Sequence, residues 1–255
     1  MQVNIKKDGK KKSYNLINSW DDVTLEKWAK LINGNKSKTK EALDTITMLS
    51  DIPRKLVKEL SINDVSNILN KIAELQNKAK SRLKKIIKVE GVEYGFHPDL
   101  SEITLGEYAD IETYIQAGIE NNLAKMMAVL YRPIVEKNGK YYTIKRYEGS
   151  EVRMRAEKFK KMKAIDVNSC LVFFLDFRER TINDFAVVFN GSDEGVETIT
   201  TDEKFAKKWG WFGVMYRLAS GDISKLGAIT NMNLYECLTW LTYEVDLNET
   251  KKVKR

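Results

Sequence analysis

Three carboxylates, Glu107, Asp110 and Glu112, are crowded into positions 107 to 112. Paired carboxylates can hold a divalent cation or divide acid and base work between them. These three also stand in the opening turns of a helix that starts after Thr104, where the dipole favours negative charge without any chemistry. His97, the chain's only histidine, precedes Pro98 and Asp99. It has no adjacent nucleophile, and Cys170 and Cys237 are too distant in sequence to complete a zinc set. It reads as a residue that fixes the loop into the following helix. The run "RMRAEKFKKMKA" from Arg153 to Ala164 is basic enough for phosphate or RNA. Its few apolar residues argue against membrane insertion, and isolated charge runs are ordinarily solvated helix faces. There is no glycine-rich phosphate loop, Ser-His-Asp arrangement or dinucleotide fingerprint. No residue is assigned as catalytic, metal-ligating or cofactor-binding, and no cofactor is expected. A metal-dependent nucleic-acid enzyme working through the 107–112 carboxylates is the minority reading.

The elements around these residues follow from turn chemistry. Asp8-Gly9, Glu90-Gly91 and Asn138-Gly139 each separate two short β-prone stretches, and a type I′ hairpin turn needs positive φ at both central residues. Three small hairpins are predicted, each too little sheet to stand without helices beneath it. The first two lead into "VTLEKW" and "ITLGEY", where Thr24 and Thr104 can cap helices and Glu107 completes a capping box. The plan from Ile5 to Trp28 thus recurs from Ile87 to Tyr108, a degenerate internal repeat. Ser61 with Asp64 opens another helix, whose apolar face carries Val65, Ile68, Ile72, Leu75 and Ala79. A helix from Ile111 to Leu130 should break near Gly118. A stripe from Leu171 through Phe174, Leu175, Ile182 and Phe185 to Phe189 should stop at Asn190-Gly191. Further helices are expected around Trp209–Leu218 and from Asn233 to about Asn248. The expected fold is mainly α with small β-hairpins (α+β), a bundle-like packing carrying two or three short antiparallel hairpins. The division is an N-terminal hairpin and helical unit over 1–84 and a larger α-rich unit over 85–255.

The 255 residues suffice to bury a real core, and 43% apolar with 31% charged composition fits a globular protein with a charged surface. The net charge of +7 sits at the two ends. Residues 1–12 have five lysines against Asp8, and Lys251, Lys252, Lys254 and Arg255 close the chain, so the interior is −1. Such ends are often mobile. Lys10, Lys11 and Lys12 with Lys251, Lys252, Lys254 and Arg255 would be the residues to touch nucleic acid. No apolar run reaches membrane-span length, and the N-terminus lacks the apolar stretch of a secretory signal. The two cysteines read as buried thiols in a reducing compartment.

In "GVEYGFHPDLSEITLGEYADIE", "LAKMMAVLYRPI" with "YYTIKRYEG", and "WGWFGVMYRLASGDISKLGAITNMNLYECLTWLTYEVD", the chain resembles proteins of the structural gene clusters of tailed bacteriophages. It is most similar to the helical tail-assembly chaperones made near the tape-measure protein. That resemblance implies a non-enzymatic protein of virion morphogenesis, active in the host cytoplasm. Its partner would be the apolar helices of a tape-measure-type protein, or other tail and connector proteins. Trp209, Trp211, Phe212, Tyr216 and Trp240 are the candidate partner-binding anchors, since Trp and Tyr serve interfaces and cores alike. The N-terminal hairpin and lysine run are not part of the chaperone pattern. They leave room for a structural component, a connector or internal protein with basic arms, incorporated in the virion.

Overall fold

Two strands, β1 (Gln2–Lys7) and β2 (Lys10–Asn15), pair antiparallel along their whole length, from Gln2 opposite Asn15 to Lys7 opposite Lys10. They belong to a computed structural model that describes residues 1–7, 10–33, 38–78, 82–189 and 208–253. The Asp8-Gly9 turn lies outside those residues. Pairing corrects the expectation of a mobile basic arm, because Lys10, Lys11 and Lys12 lie within β2. The hairpin is anchored by Ile5 and Tyr14, which are buried in an N-terminal core.

A single turn of 3-10 helix at Trp20–Asp22 leads into α1 (Leu25–Ile32), capped by Thr24, whose Oγ1 accepts from the Lys27 N–H at 3.3 Å. α2 (Lys38–Met48), α3 (Arg54–Val57) and α4 (Ile62–Lys78) complete the unit. Ser61 opens α4 as the sequence predicts, accepting from the Asp64 N–H at 3.1 Å. Ile68 and Ile72 of α4 are buried against β1, β2 and α2 residues, whereas Ala79 lies outside the described residues.

The second half repeats the opening. β3 (Ile86–Val89) and β4 (Val92–Phe96) turn at Glu90-Gly91, with φ of +50° and +85°. A 3-10 turn at Leu100–Glu102 precedes α5 (Leu105–Gln116), and Gly118 at φ +101° separates it from α6 (Ile119–Leu130). Thr24 and Thr104 adopt nearly the same backbone, φ −81° and −80° with ψ 157° in both. Leu16 and Phe96, 80 residues apart, take equivalent hydrogen bonds, from their N–H groups to Met1 O at 2.7 Å and Lys85 O at 2.7 Å. The next residues, Ile17 and His97, donate to Leu49 O at 3.0 Å and Leu130 O at 2.8 Å.

β5 (Tyr131–Asn138) and β6 (Tyr141–Ile144) form the third hairpin. It does not stand apart: β4 pairs with β5, from Tyr94 opposite Pro133 to Phe96 opposite Tyr131, giving a four-stranded sheet in the order β3-β4-β5-β6. α7 (Gly149–Phe159), α8 (Ala164–Asp184) and α9 (Ala186–Phe189) follow. The predicted stripe to Phe189 is therefore interrupted at Phe185, and the expected stop at Asn190-Gly191 lies outside the described residues. α10 (Trp211–Leu218), α11 (Leu226–Thr230) and α12 (Leu234–Val253) finish the chain's described part. α12 runs past the expected end near Asn248, carrying Lys251 and Lys252 in its last turn.

Each Thr-capped junction grips the start of a later helix. At the first, Leu25 N–H donates to Met162 O (2.7 Å) and Ala164 N–H to Val23 O (2.8 Å). At the second, Leu105 N–H donates to Met232 O (2.9 Å) and Leu234 N–H to Ile103 O (2.9 Å). Thr24 bridges Lys163, and Thr104 bridges Asn233, in the same antiparallel manner. α8 and α12 are thus corresponding helices, 70 residues apart. Gly106 belongs to this contact, since a Cβ there would lie 2.9 Å from the Thr230 carbonyl oxygen.

Two apolar cores result, one built mainly from residues before 84 and one from residues after it. They are stitched together: Leu25 joins the second core, Ala164 the first, and Trp28 touches both. The junctions make local predictions. Thr104→Ala should lower stability by about 1 kcal/mol through the lost cap. Gly91→Val should lower the urea midpoint more than Gly91→Asn. No atom lies within 4 Å of a Cβ at position 91, so the difference reports backbone strain at positive φ alone.

Candidate functional site

Glu107 completes the Thr104 cap, its Oε2 accepting from the Thr104 N–H at 2.8 Å and from the hydroxyl at 3.0 Å. The residue is only 1% exposed, and an ionised carboxylate so placed needs a counterion. Arg132, at the start of β5, brings Nη1 to 2.6 Å from Oε1, and His97, just past β4, holds Nε2 3.8 Å from Oε2. Burial pushes the Glu107 carboxyl up, but His97 and Arg132 outweigh it and hold the group below its ordinary 4.5. Burial also lowers Arg132, against the opposing pull of Glu107. The Arg132 guanidinium lies 5.8 Å from the Tyr147 ring centroid. Cap, strand end and neighbouring strand are locked by one buried charge cluster.

The other two carboxylates are engaged elsewhere. Asp110 accepts from the Tyr147 hydroxyl. Glu112 is forked by Arg178 of α8, Nε and Nη2 both donating, the latter at 3.0 Å. Donating to Glu112 raises the Arg178 guanidinium further. The acidic cluster is three separate structural pairs on one helix. Among the described residues, no three His, Cys, Asp or Glu side chains converge as a ligand set.

The internal repeat isolates what is special to the second copy. Positions corresponding to His97, Glu107 and Arg132 are Ile17, Lys27 and Asp51. In the first copy Asp51 instead holds the end of β2, accepting from the Asn15 N–H at 2.7 Å and its side-chain amide at 2.9 Å. The same backbone plan is closed once by local hydrogen bonds and once by a buried ion pair. Arg132 and Arg178 escaped the sequence reading because nothing local marks a long-range partner.

The basic helix α7 is not wholly solvated. Arg155 is 4% exposed and donates to Ala128 O at 2.5 Å and to Glu151 at 2.8 Å. A cleft of about 310 Å³ opens beside His97, walled by Phe96, Phe173 and Phe177, with Lys85 and Arg180 among its lining residues. Cys170 and Cys237 are free and buried, and burial pushes the Cys237 thiol up to about 11.

The aromatic anchors separate into two sets. Trp209, Phe212, Tyr216 and Trp240 are 42%, 46%, 56% and 58% exposed. Trp209 and Phe212 pack with their rings tilted by 40° and the centroids 5.7 Å apart. Arg217 bonds Glu244 at 2.7 Å, drawing α10 to α12, and Trp240 Nε1 donates to the same carboxylate at 3.2 Å. Trp211 does not share this surface. It turns inward, 5.3 Å from the Tyr108 ring and 6.0 Å from Phe189. Helical geometry is the reason, since Phe212 and Tyr216 stand one turn apart while Trp211 and Met215 point to the core.

Of the lysines named as nucleic-acid contacts, Lys11 and Lys12 are exposed on β2, with Lys12 Nζ 5.4 Å from the Tyr14 ring centroid. Lys251 is exposed on α12, and Lys254 and Arg255 lie outside the described residues. No helix among the described residues is long and apolar enough to cross a membrane. No protein-family model, curated protein or solved structure matches this chain.

Proposed function

We propose that the protein is a non-enzymatic assembly factor of tailed-phage particles, of the tail-assembly chaperone kind. In this reading it holds an apolar helix of a long tape-measure-type partner against the aromatic surface of α10. Trp209, Phe212 and Tyr216 are the anchors, with Trp240 at the margin. The observation that carries the reading is a division of labour among side chains. Glu107, Asp110 and Glu112 are each consumed by a structural partner, while four large aromatics remain exposed on adjoining helices. Aromatic residues are typical interface anchors, and an amphipathic helix docks by apolar side chains spaced along one face.

Co-expression with a tape-measure-type protein tests this. The partner's soluble fraction should rise, and Phe212→Glu with Tyr216→Glu should abolish the rise while leaving the thermal midpoint of the variant unchanged. A partner that is equally insoluble alone and together sinks the reading. Stoichiometric recovery of the protein from purified particles would replace it with a retained structural role.

A further inference from the structure

α12 exposes an apolar face with an acid at one end and a base at the other. Glu236, Trp240, Tyr243, Leu247 and Lys251 recur at helical spacing and fall within an arc of roughly 80°. Trp240, Tyr243 and Leu247 are 58%, 59% and 37% exposed, and Glu236 and Lys251 are exposed at the two ends. The opposite face, with Leu234, Cys237, Leu238 and Leu241, is buried.

The corresponding helix shows what such a face does in this fold. α8 grips the first junction as α12 grips the second, and the positions matching Trp240 and Leu247 are Cys170 and Phe177. These are 0% and 6% exposed, packed into the second core. Phe173, the match of Tyr243, is 41% exposed on α8 as well, but most of the face by which α8 joins that core is the face α12 leaves uncovered. It continues a packing surface already used within the chain.

We propose that a second copy of this chain covers it, α12 against α12, antiparallel about a twofold axis between positions 243 and 244. In that register Trp240 meets Leu247 of the second copy, and Glu236 meets Lys251 of the second copy. The acid and the base at opposite ends of the stripe make the face complementary to itself only in the antiparallel sense. This is the isologous contact of a twofold dimer, in which one patch serves both subunits. Antiparallel helices also oppose their dipoles favourably. The inference does not rest on the chaperone reading. It takes Trp240, at the margin of the partner surface, into the contact between copies and leaves Trp209 together with Phe212 and Tyr216 of α10 for an assembly partner.

Sedimentation equilibrium on the full chain tests the proposal. The wild type should be a dimer at micromolar concentration, and Trp240→Glu a monomer with an unchanged far-ultraviolet circular dichroism spectrum. Glu236→Lys and Lys251→Glu should each weaken the dimer about tenfold, because each reversal places like charges together twice across the axis. Combining them should restore the wild-type dissociation constant. Tyr243→Cys, beside the axis, should cross-link under mild oxidation into a covalent dimer, whereas Ile62→Cys, exposed on α4, should not. A monomeric wild type overturns the proposal, as does a dimer that survives Trp240→Glu. Charge reversals whose effects add instead of cancelling overturn the antiparallel register.

Discussion

Arg132→Leu is expected to lower the stability of the protein by about 3–5 kcal/mol, the cost of leaving a buried charge without its partner. Glu107 stays ionised in the interior because Arg132 stands 2.6 Å away and His97 3.8 Å away. With the guanidinium gone, burial prevails and the carboxyl titrates upward. The sign with pH follows. In the wild type the folded-state value is depressed, so the contribution of Glu107 is fully present above about 4.5 and lost as pH falls through the lower folded value. In Arg132→Leu the folded value is raised, so acid stabilises the variant by neutralising the stranded carboxylate. Urea midpoints of the two proteins should therefore converge between neutral pH and a pH of about 4. A gap that stays constant would mean Arg132 acts by packing alone. Adding Glu107→Leu to Arg132→Leu should return part of the loss at neutral pH, since removing both charges removes the desolvation cost. It should not return all of it, because the Thr104 cap loses its reciprocal acceptor, worth about 1 kcal/mol.

The local chemistry of this fold was legible in sequence, and the long-range chemistry was not. The Gly91 turn, the caps at Thr24, Ser61 and Thr104, and the break at Gly118 each depend on a few consecutive residues whose backbone preferences are strong. The repeat of hairpin and capped helix was visible because the Thr caps and the Gly turns recur in the same order, whereas the 3-10 turn between them emerged only in the structure. The pairing of β4 with β5 was not, because Tyr94 and Pro133 meet across the whole of α5 and α6 and no turn signal announces it. The carboxylates at 107–112 were seen, but their partners Arg132, Tyr147 and Arg178 lie on other elements, so a possible metal cluster and three structural pairs looked alike. The same limit applied to the aromatic run. Its composition offered Trp209, Trp211, Phe212 and Tyr216 together, and only the orientation of α10 divides Trp211 from the rest. The correspondence of α8 with α12 rests on backbone bonds to Met162 and Met232, with little side-chain identity to betray it beyond those methionines.

That correspondence sets up a second large effect, in a pair of substitutions at matching positions. Phe174 in α8 corresponds to Glu244 in α12. Phe174 is fully buried, with ring centroids of Tyr108 and Phe177 at 6.3 and 5.9 Å. Phe174→Ala removes most of an aromatic side chain from the second core and leaves a cavity that Tyr108 and Phe177, themselves packed on other elements, cannot collapse to fill. The expected loss is about 3–5 kcal/mol. Glu244→Ala removes only a surface pair with Arg217 and the hydrogen bond from Trp240 Nε1, worth about 1 kcal/mol or less. Both should be read from urea denaturation at a protein concentration low enough that self-association does not contribute to the midpoint. The comparison isolates a difference that residue type alone does not explain, because the two helices start on equivalent junctions and differ in what lies over the far face. Similar losses for the two variants would show that α12 is as deeply packed as α8. That result would remove the premise that its Trp240 face is open.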